Sequence, residues 1–197
     1  MALAHRKLEM SFDAARLQED LARIGAEEWQ AHFNKGVYDG DWSGVALRTT
    51  PGALLPLYPD PTKNEFADTE LMERCPYFRE VLAALGCTVQ FARLLKLAAG
   101  ANIREHRDYT LGLDYGTARL HVPVQTNPEV EFYVNGERLV MNPGECWYVD
   151  FGLPHRIHNR GVSDRVHLVI DCAVNPWLLG MLGNPATATS RSPRASS

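Results

Sequence analysis

This chain of 197 residues has only four cysteines, Cys75, Cys87, Cys146 and Cys172, with no CxxC pair and no disulfide-like spacing. That argues against a disulfide framework. Three of the four sit in apolar helix or strand contexts, so buried free thiols are the expectation. No apolar run follows Met1, and none approaches the roughly 18 residues of a membrane helix. No leader or span is therefore expected, and a reducing cytoplasm is the expected compartment. Charge of one sign is scarce as well: the net value of −4 gives no general affinity for nucleic acid or anionic membranes. There is no internal repeat. What remains, 45% hydrophobic and 22% charged, is ordinary globular composition, and the length suffices to bury a core without staples.

The hydrophobic period changes along the chain. Lys7 to Ser11 reads as extended, followed by a helix capped near Asp13 with Leu17, Leu21 and Ile24 on one face. Trp29 and Phe33 are placed to extend that helix past Gly25. Trp42 to Thr49 reads as a strand. The stretch Pro51 to Pro61, prolines at both ends and two more between, reads as a loop and a candidate lid. A second helix is expected from Cys75-Pro76 to Gly86, with Phe78, Val81, Leu82 and Leu85 as its buried stripe. From Thr88 the period becomes two. Residues 88–98, 117–125, 129–134, 137–141, 145–151, 156–159 and 165–172 all read as strands, and Asn135-Gly136 signals a type I′ hairpin. Helices followed by many short antiparallel strands predict a mainly β fold, a jelly-roll or double-stranded β-helix barrel with flanking helices. The expected organisation is one domain over 1–182, helical to about 87 with a jelly-roll core over about 88–175. A disordered tail is expected over 183–197.

The chemistry-bearing residues fall in this second part. His106 and Asp108 flank a single residue, so on an extended strand both point to the same side. Leu153-Pro154-His155 follows after enough chain for a few strands to run out and return. Two imidazoles and one carboxylate make a facial ligand set for Fe(II), with the opposite positions left open. His158 is the rival third ligand, an odd number of residues from His155 and so on the other face of one strand. Residues 158–164 read as a hairpin loop leading into a strand on which Arg165, His167, Val169 and Asp171 share a face. Arg119 and His121 share a face of an earlier strand. Two Arg-x-His strands suggest a pocket lined with cations, where a guanidinium can hold a carboxylate bidentately. Arg93 stands between Phe91 and Leu95 on an apolar strand face, costly unless a buried acid or a substrate carboxylate pairs with it.

From Phe91 to Cys172 the chain resembles the aspartyl/asparaginyl/prolyl hydroxylases, which depend on Fe(II), 2-oxoglutarate and O2. The matching residues are Arg93, His106-x-Asp108, Arg119-x-His121, Gly144-Glu145-x-Trp147, Asp150, Leu153-Pro154-His155 and Arg165-x-His167. Within the family the chain is most similar to the bacterial L-proline cis-4-hydroxylase group, a likeness that also takes in Phe12 to Leu17 and Leu47-Arg48. It departs from that group by stopping soon after its last strand, where the group continues with a helical region. The resemblance implies that His106, Asp108 and His155 hold iron and that Arg165 binds the distal carboxylate of 2-oxoglutarate, with Arg119 and His121 assisting. It further implies that Arg93 and Trp147 contact the substrate and that Asp150 orients a ligand. The implied activity is hydroxylation of a free proline-like amino acid or of an Asp/Asn residue. The alternatives are a non-catalytic jelly-roll sensor of metal and a small acid, or the same fold using another divalent metal.

Overall fold

The computed structural model describes residues 3–58, 63–109 and 111–183. The strands are β1 (His5–Ser11), β2 (Gln30–Ala31), β3 (Tyr38–Asp39), β4 (Trp42–Thr49), β5 (Ala67–Asp68), β6 (Val89–Leu97), β7 (Asn102–His106), β8 (Thr117–Gln125), β9 (Val130–Val134), β10 (Glu137–Leu139), β11 (Glu145–Val149), β12 (His155–Asn159) and β13 (Arg165–Ala173). The helices are α1 (Ala14–Leu21), α2 (Glu70–Arg74), α3 (Pro76–Ala83) and α4 (Pro176–Met181). An antiparallel sheet runs β1-β11-β8-β13-β6-β4-β2, with β5 on β4, and a smaller one runs β10-β9-β12-β7-β3. The fold is a jelly roll of two distinct sheets rather than a closed barrel.

The alternation read in the sequence explains this layering. On β13, Val166, Leu168, Ile170 and Cys172 join the core beneath the helices, with Leu17 of α1 and Phe78 and Val81 of α3. The opposite parity enters the space between the sheets, where Val169 packs with Leu95, Phe132 and Phe151. A strand buried on both faces carries side chains into two layers, and one of them can hold a site. Asp13 caps α1 by accepting from the Ala15 and Arg16 N–H groups, a contact of about 1 kcal/mol in typical helices. Asn135 and Gly136 take φ of 50° and 81° between β9 and β10, the left-handed pair a type I′ turn needs.

Three expectations are corrected. The first helix does not continue through Trp29 and Phe33: α1 ends at Leu21, a 3-10 turn spans Ala26–Glu28, and β2 follows. Residues 158–164 are no hairpin, because β12 lies in the small sheet and β13 in the large one. The segment carries the chain between layers, pinned where the Asn159 side-chain amide donates to the carbonyls of Leu97 and Ser163. The second helix ends at Ala83 and is preceded by α2, too short for its period to show in the sequence. All four cysteines are free, three of them buried. Among the described residues no helix is long and apolar enough to cross a membrane. Positions 59–61 of the proline-rich loop and 184–197 of the tail lie outside the described residues.

Candidate metal centre and its cavity

His106 ends β7 and His155 begins β12, and the antiparallel register sets them directly opposite each other. Their ring centroids are 4.2 Å apart. Asp108 lies just past β7, anchored by its N–H donating to the Phe151 carbonyl at 2.9 Å. One ligand atom from each of His106, Asp108 and His155 falls within 4.8 Å of the others. Both imidazoles are oriented by the backbone: Nδ1 of His106 lies 2.8 Å from the Arg104 carbonyl, and Nδ1 of His155 lies 3.0 Å from that of Leu153. A carbonyl accepts only, so the proton sits on Nδ1 and the Nε2 lone pair faces the cluster. Burial pushes the His155 imidazolium down to about 4, so the ring is neutral, as a metal ligand must be. His158 pairs with Asn102 and Glu131 and does not line the cavity.

The three residues stand at a cavity of about 1140 Å³ between the sheets. Arg165, His121, Arg119, Arg93 and Asp171 line it from the large sheet. Arg165 is 1% exposed, and burial alone pushes its guanidinium down to about 9. Its Nη2 donates to His167 Nδ1 at 2.9 Å, while its Nε is buried without a partner among the described residues. His167 Nδ1 also lies 3.2 Å from His121 Nδ1, and His121 Nε2 is a second buried atom with no partner among the described residues. A buried cation with no carboxylate beside it is costly, and an anion entering the cavity would relieve that cost.

Arg119 is engaged by two protein carboxylates. Its Nε and Nη2 donate to Asp171 Oδ1 and Oδ2 at 2.6 and 2.9 Å, and its Nη1 donates to Asp108 Oδ2 at 2.8 Å. Arg93, 5% exposed, donates through Nη1 to Asp171 Oδ2 at 3.1 Å, so a protein acid inside the cavity takes one arm of its fork. Despite burial, the two guanidinium groups hold the Asp171 carboxyl well below the usual range. Trp147 does not line the cavity: its indole N–H donates to Glu145 at 2.9 Å and its ring lies against His5. Asp150 makes no hydrogen bond to His106, Asp108 or His155 among the described residues. Its carboxylate accepts from the Gly152 N–H at 2.9 Å and shapes the turn leading to His155.

One wall of the cavity was missed in the sequence. His32 stacks on Trp42 with centroids 3.5 Å apart, and Phe33 and Tyr58 meet edge to face at 4.2 Å beside them. Burial, then the charge of Arg93, pushes the His32 imidazolium down to about 4. The signal was obscured because Trp29 and Phe33 fit a helical spacing that the chain does not follow.

The family model described as aspartyl/asparaginyl beta-hydroxylase matches residues 11–174. L-proline cis-4-hydroxylase of Rhizobium meliloti is 29% identical over 165 residues, which cover 83% of this chain and 58% of that protein. L-proline cis-3-hydroxylase 2 of a Streptomyces species is 29% identical over 175 residues, 84% of this chain and 58% of that protein. The chain thus spans 58% of the length of both curated relatives. Among solved structures, an oxidoreductase of the 2OG-Fe(II) oxygenase family from Burkholderia pseudomallei superposes with a TM-score of 0.53 at 12% identity. That match covers 81% of this chain and 77% of the other, and it shows the shared fold. The match to the family model runs from the last residue of β1 through the end of β13, and on it the chain belongs to the aspartyl/asparaginyl beta-hydroxylase family.

Proposed function

We propose that this chain is an Fe(II)- and 2-oxoglutarate-dependent hydroxylase of a free amino acid, proline or a close analogue. The observation that carries the reading is the His106, Asp108 and His155 cluster opening on the same cavity as a buried Arg165 that has no acid partner among the described residues. The donor set fits the ion: two neutral imidazoles presenting Nε2 and one carboxylate grip Fe(II) from one side and leave the other open. With 2-oxoglutarate and O2, the iron would supply the oxidising power to hydroxylate an unactivated C–H bond. Arg165 binds the far carboxylate of 2-oxoglutarate, with His167 holding one arm of its fork and His121 lining the same end. Arg93 takes the substrate carboxylate on the arms that Asp171 leaves free. The aromatic wall of His32, Trp42 and Tyr58 sheds water from the substrate's apolar body. The names of both curated relatives support a proline-like substrate. The four free thiols support a reducing, cytoplasmic setting.

The test is a mass-spectrometric screen of free amino acids incubated with the protein, Fe(II), ascorbate and 2-oxoglutarate. The expected product is L-proline carrying one added oxygen. Products only from Asp- or Asn-containing peptides would replace the free amino acid with a peptide substrate.

A further inference from the structure

We infer that Asp171 is a positioning residue for the metal centre, acting on Asp108 through Arg119. The inference rests on the reading of His106, Asp108 and His155 as the metal seat.

Asp108 divides its two oxygens. Oδ2 accepts from Arg119 Nη1 at 2.8 Å, and Oδ1 lies 3.7 Å from His106 Nε2, on the side of the cluster. One oxygen is bonded to Arg119, and the other is the one toward His106 Nε2. The Asp108 side chain is one-third exposed, so without Arg119 it could turn its carboxylate toward solvent.

Arg119 can perform this task only if its guanidinium plane is fixed, and Asp171 fixes it. The two residues are directly opposite in the pairing of β8 with β13. The carboxylate takes Nε and Nη2 together, a two-point contact that defines the plane and aims Nη1 at Asp108. Asp171 is 5% exposed and contributes no atom to the metal cluster. Arg93 adds a single bond to Asp171 from the other neighbouring strand, at 3.1 Å. The four charges form one chain, Arg93–Asp171–Arg119–Asp108, in which the link that sets Asp108 is Asp171 to Arg119. Arg93 is a side branch with respect to the metal.

The experiment is Co(II) titration of the purified protein, read by the visible d–d absorption of the bound ion, with circular dichroism as the check on folding. Asp171→Asn should weaken Co(II) binding by about 10-fold or more, the usual effect of losing a partner that orients a ligand, and should alter the d–d bands. Arg119→Gln should do the same. The double variant should be no worse than Arg119→Gln alone, because the two act in series. Arg93→Gln, which spares the two-point contact, should leave Co(II) affinity within about twofold. A general structural role would instead lower affinity and stability together in all three single variants, and that pattern would overturn the inference. So would a folded Asp171→Asn protein with wild-type affinity and spectrum. If Asp171→Asn does not fold, Arg119→Lys decides: one ammonium cannot reproduce the three bonds, and unchanged Co(II) binding in that variant would equally overturn it. A wild-type chain that binds no Co(II) removes the metal reading itself, whereas wild-type binding matched by Asp171→Asn removes only this inference.

Discussion

Arg165 donates through Nη2 to His167 Nδ1 at 2.9 Å, and this imidazole is its one protein acceptor among the described residues. The ring holds the fork without neutralising it, so the positive charge remains available to an anion in the cavity. Arg165→Ala should raise the KM for 2-oxoglutarate far more than the KM for L-proline. Loss of a charge-assisted bond is worth roughly 1.5–3 kcal/mol, about 10–150-fold. Steady-state kinetics in both substrates checks this, and an unchanged co-substrate KM would remove Arg165 from its assigned place.

Replacing His106, Asp108 or His155 singly with Ala should abolish turnover and weaken Fe(II) binding while the fold survives. All three stand at the cavity rather than within either hydrophobic core. His158→Ala should leave metal binding intact, since that side chain does not reach the cavity. Metal content after reconstitution and circular dichroism of the four variants decide it; loss of metal in His158→Ala with retention in His155→Ala would reverse the third ligand.

How much of this could be read from the sequence differs by element. The two faces of β13 were legible because strand geometry alone sorts Arg165 and Asp171 from Leu168 and Ile170. β7 was harder: in Asn-Ile-Arg-Glu-His a single apolar residue, Ile103, marks the buried side. Which sheet receives β12 or β13 was invisible, since turn residues announce a change of direction and not its destination. The same blindness hid the bonds of Arg119. Its place on the cavity face followed from parity, but its pairing with Asp171 depends on register between strands far apart in sequence. His32 was lost to a helical spacing that continues past the true end of α1.

Arg93→Ala should raise the KM for L-proline while sparing 2-oxoglutarate binding and uncoupled succinate release. Arg93→Lys should rescue little, because an ammonium cannot serve Asp171 and a substrate carboxylate with the same planar fork. If Arg93→Ala leaves the KM for L-proline unchanged, its bond to Asp171 is its whole role.

Glu145 supplies a pH dependence of stability. Burial opposes its charge, but bonds from Lys7, Asn142 and Trp147 outweigh that and lower its carboxyl from 4.5 to about 2. A depressed carboxyl stabilises the fold above its unfolded value, and the contribution disappears as pH falls through the folded one. Glu145→Gln should therefore be less stable than the wild type near neutral pH, with the gap closing between about pH 4.5 and about pH 2. Paired denaturant titrations across that range measure it; a gap that does not change with pH would assign the effect to packing.

The most direct measurement of the central claim is the yield of succinate from 2-oxoglutarate in protein reconstituted without oxygen and then exposed to O2, metal by metal, with L-proline present. Succinate release is expected with Fe(II) and not with Zn(II) or Mg(II), accompanied by hydroxylated proline in comparable amount. Binding of 2-oxoglutarate with no succinate under any metal would contradict it and leave a metal- and acid-binding jelly roll in its place.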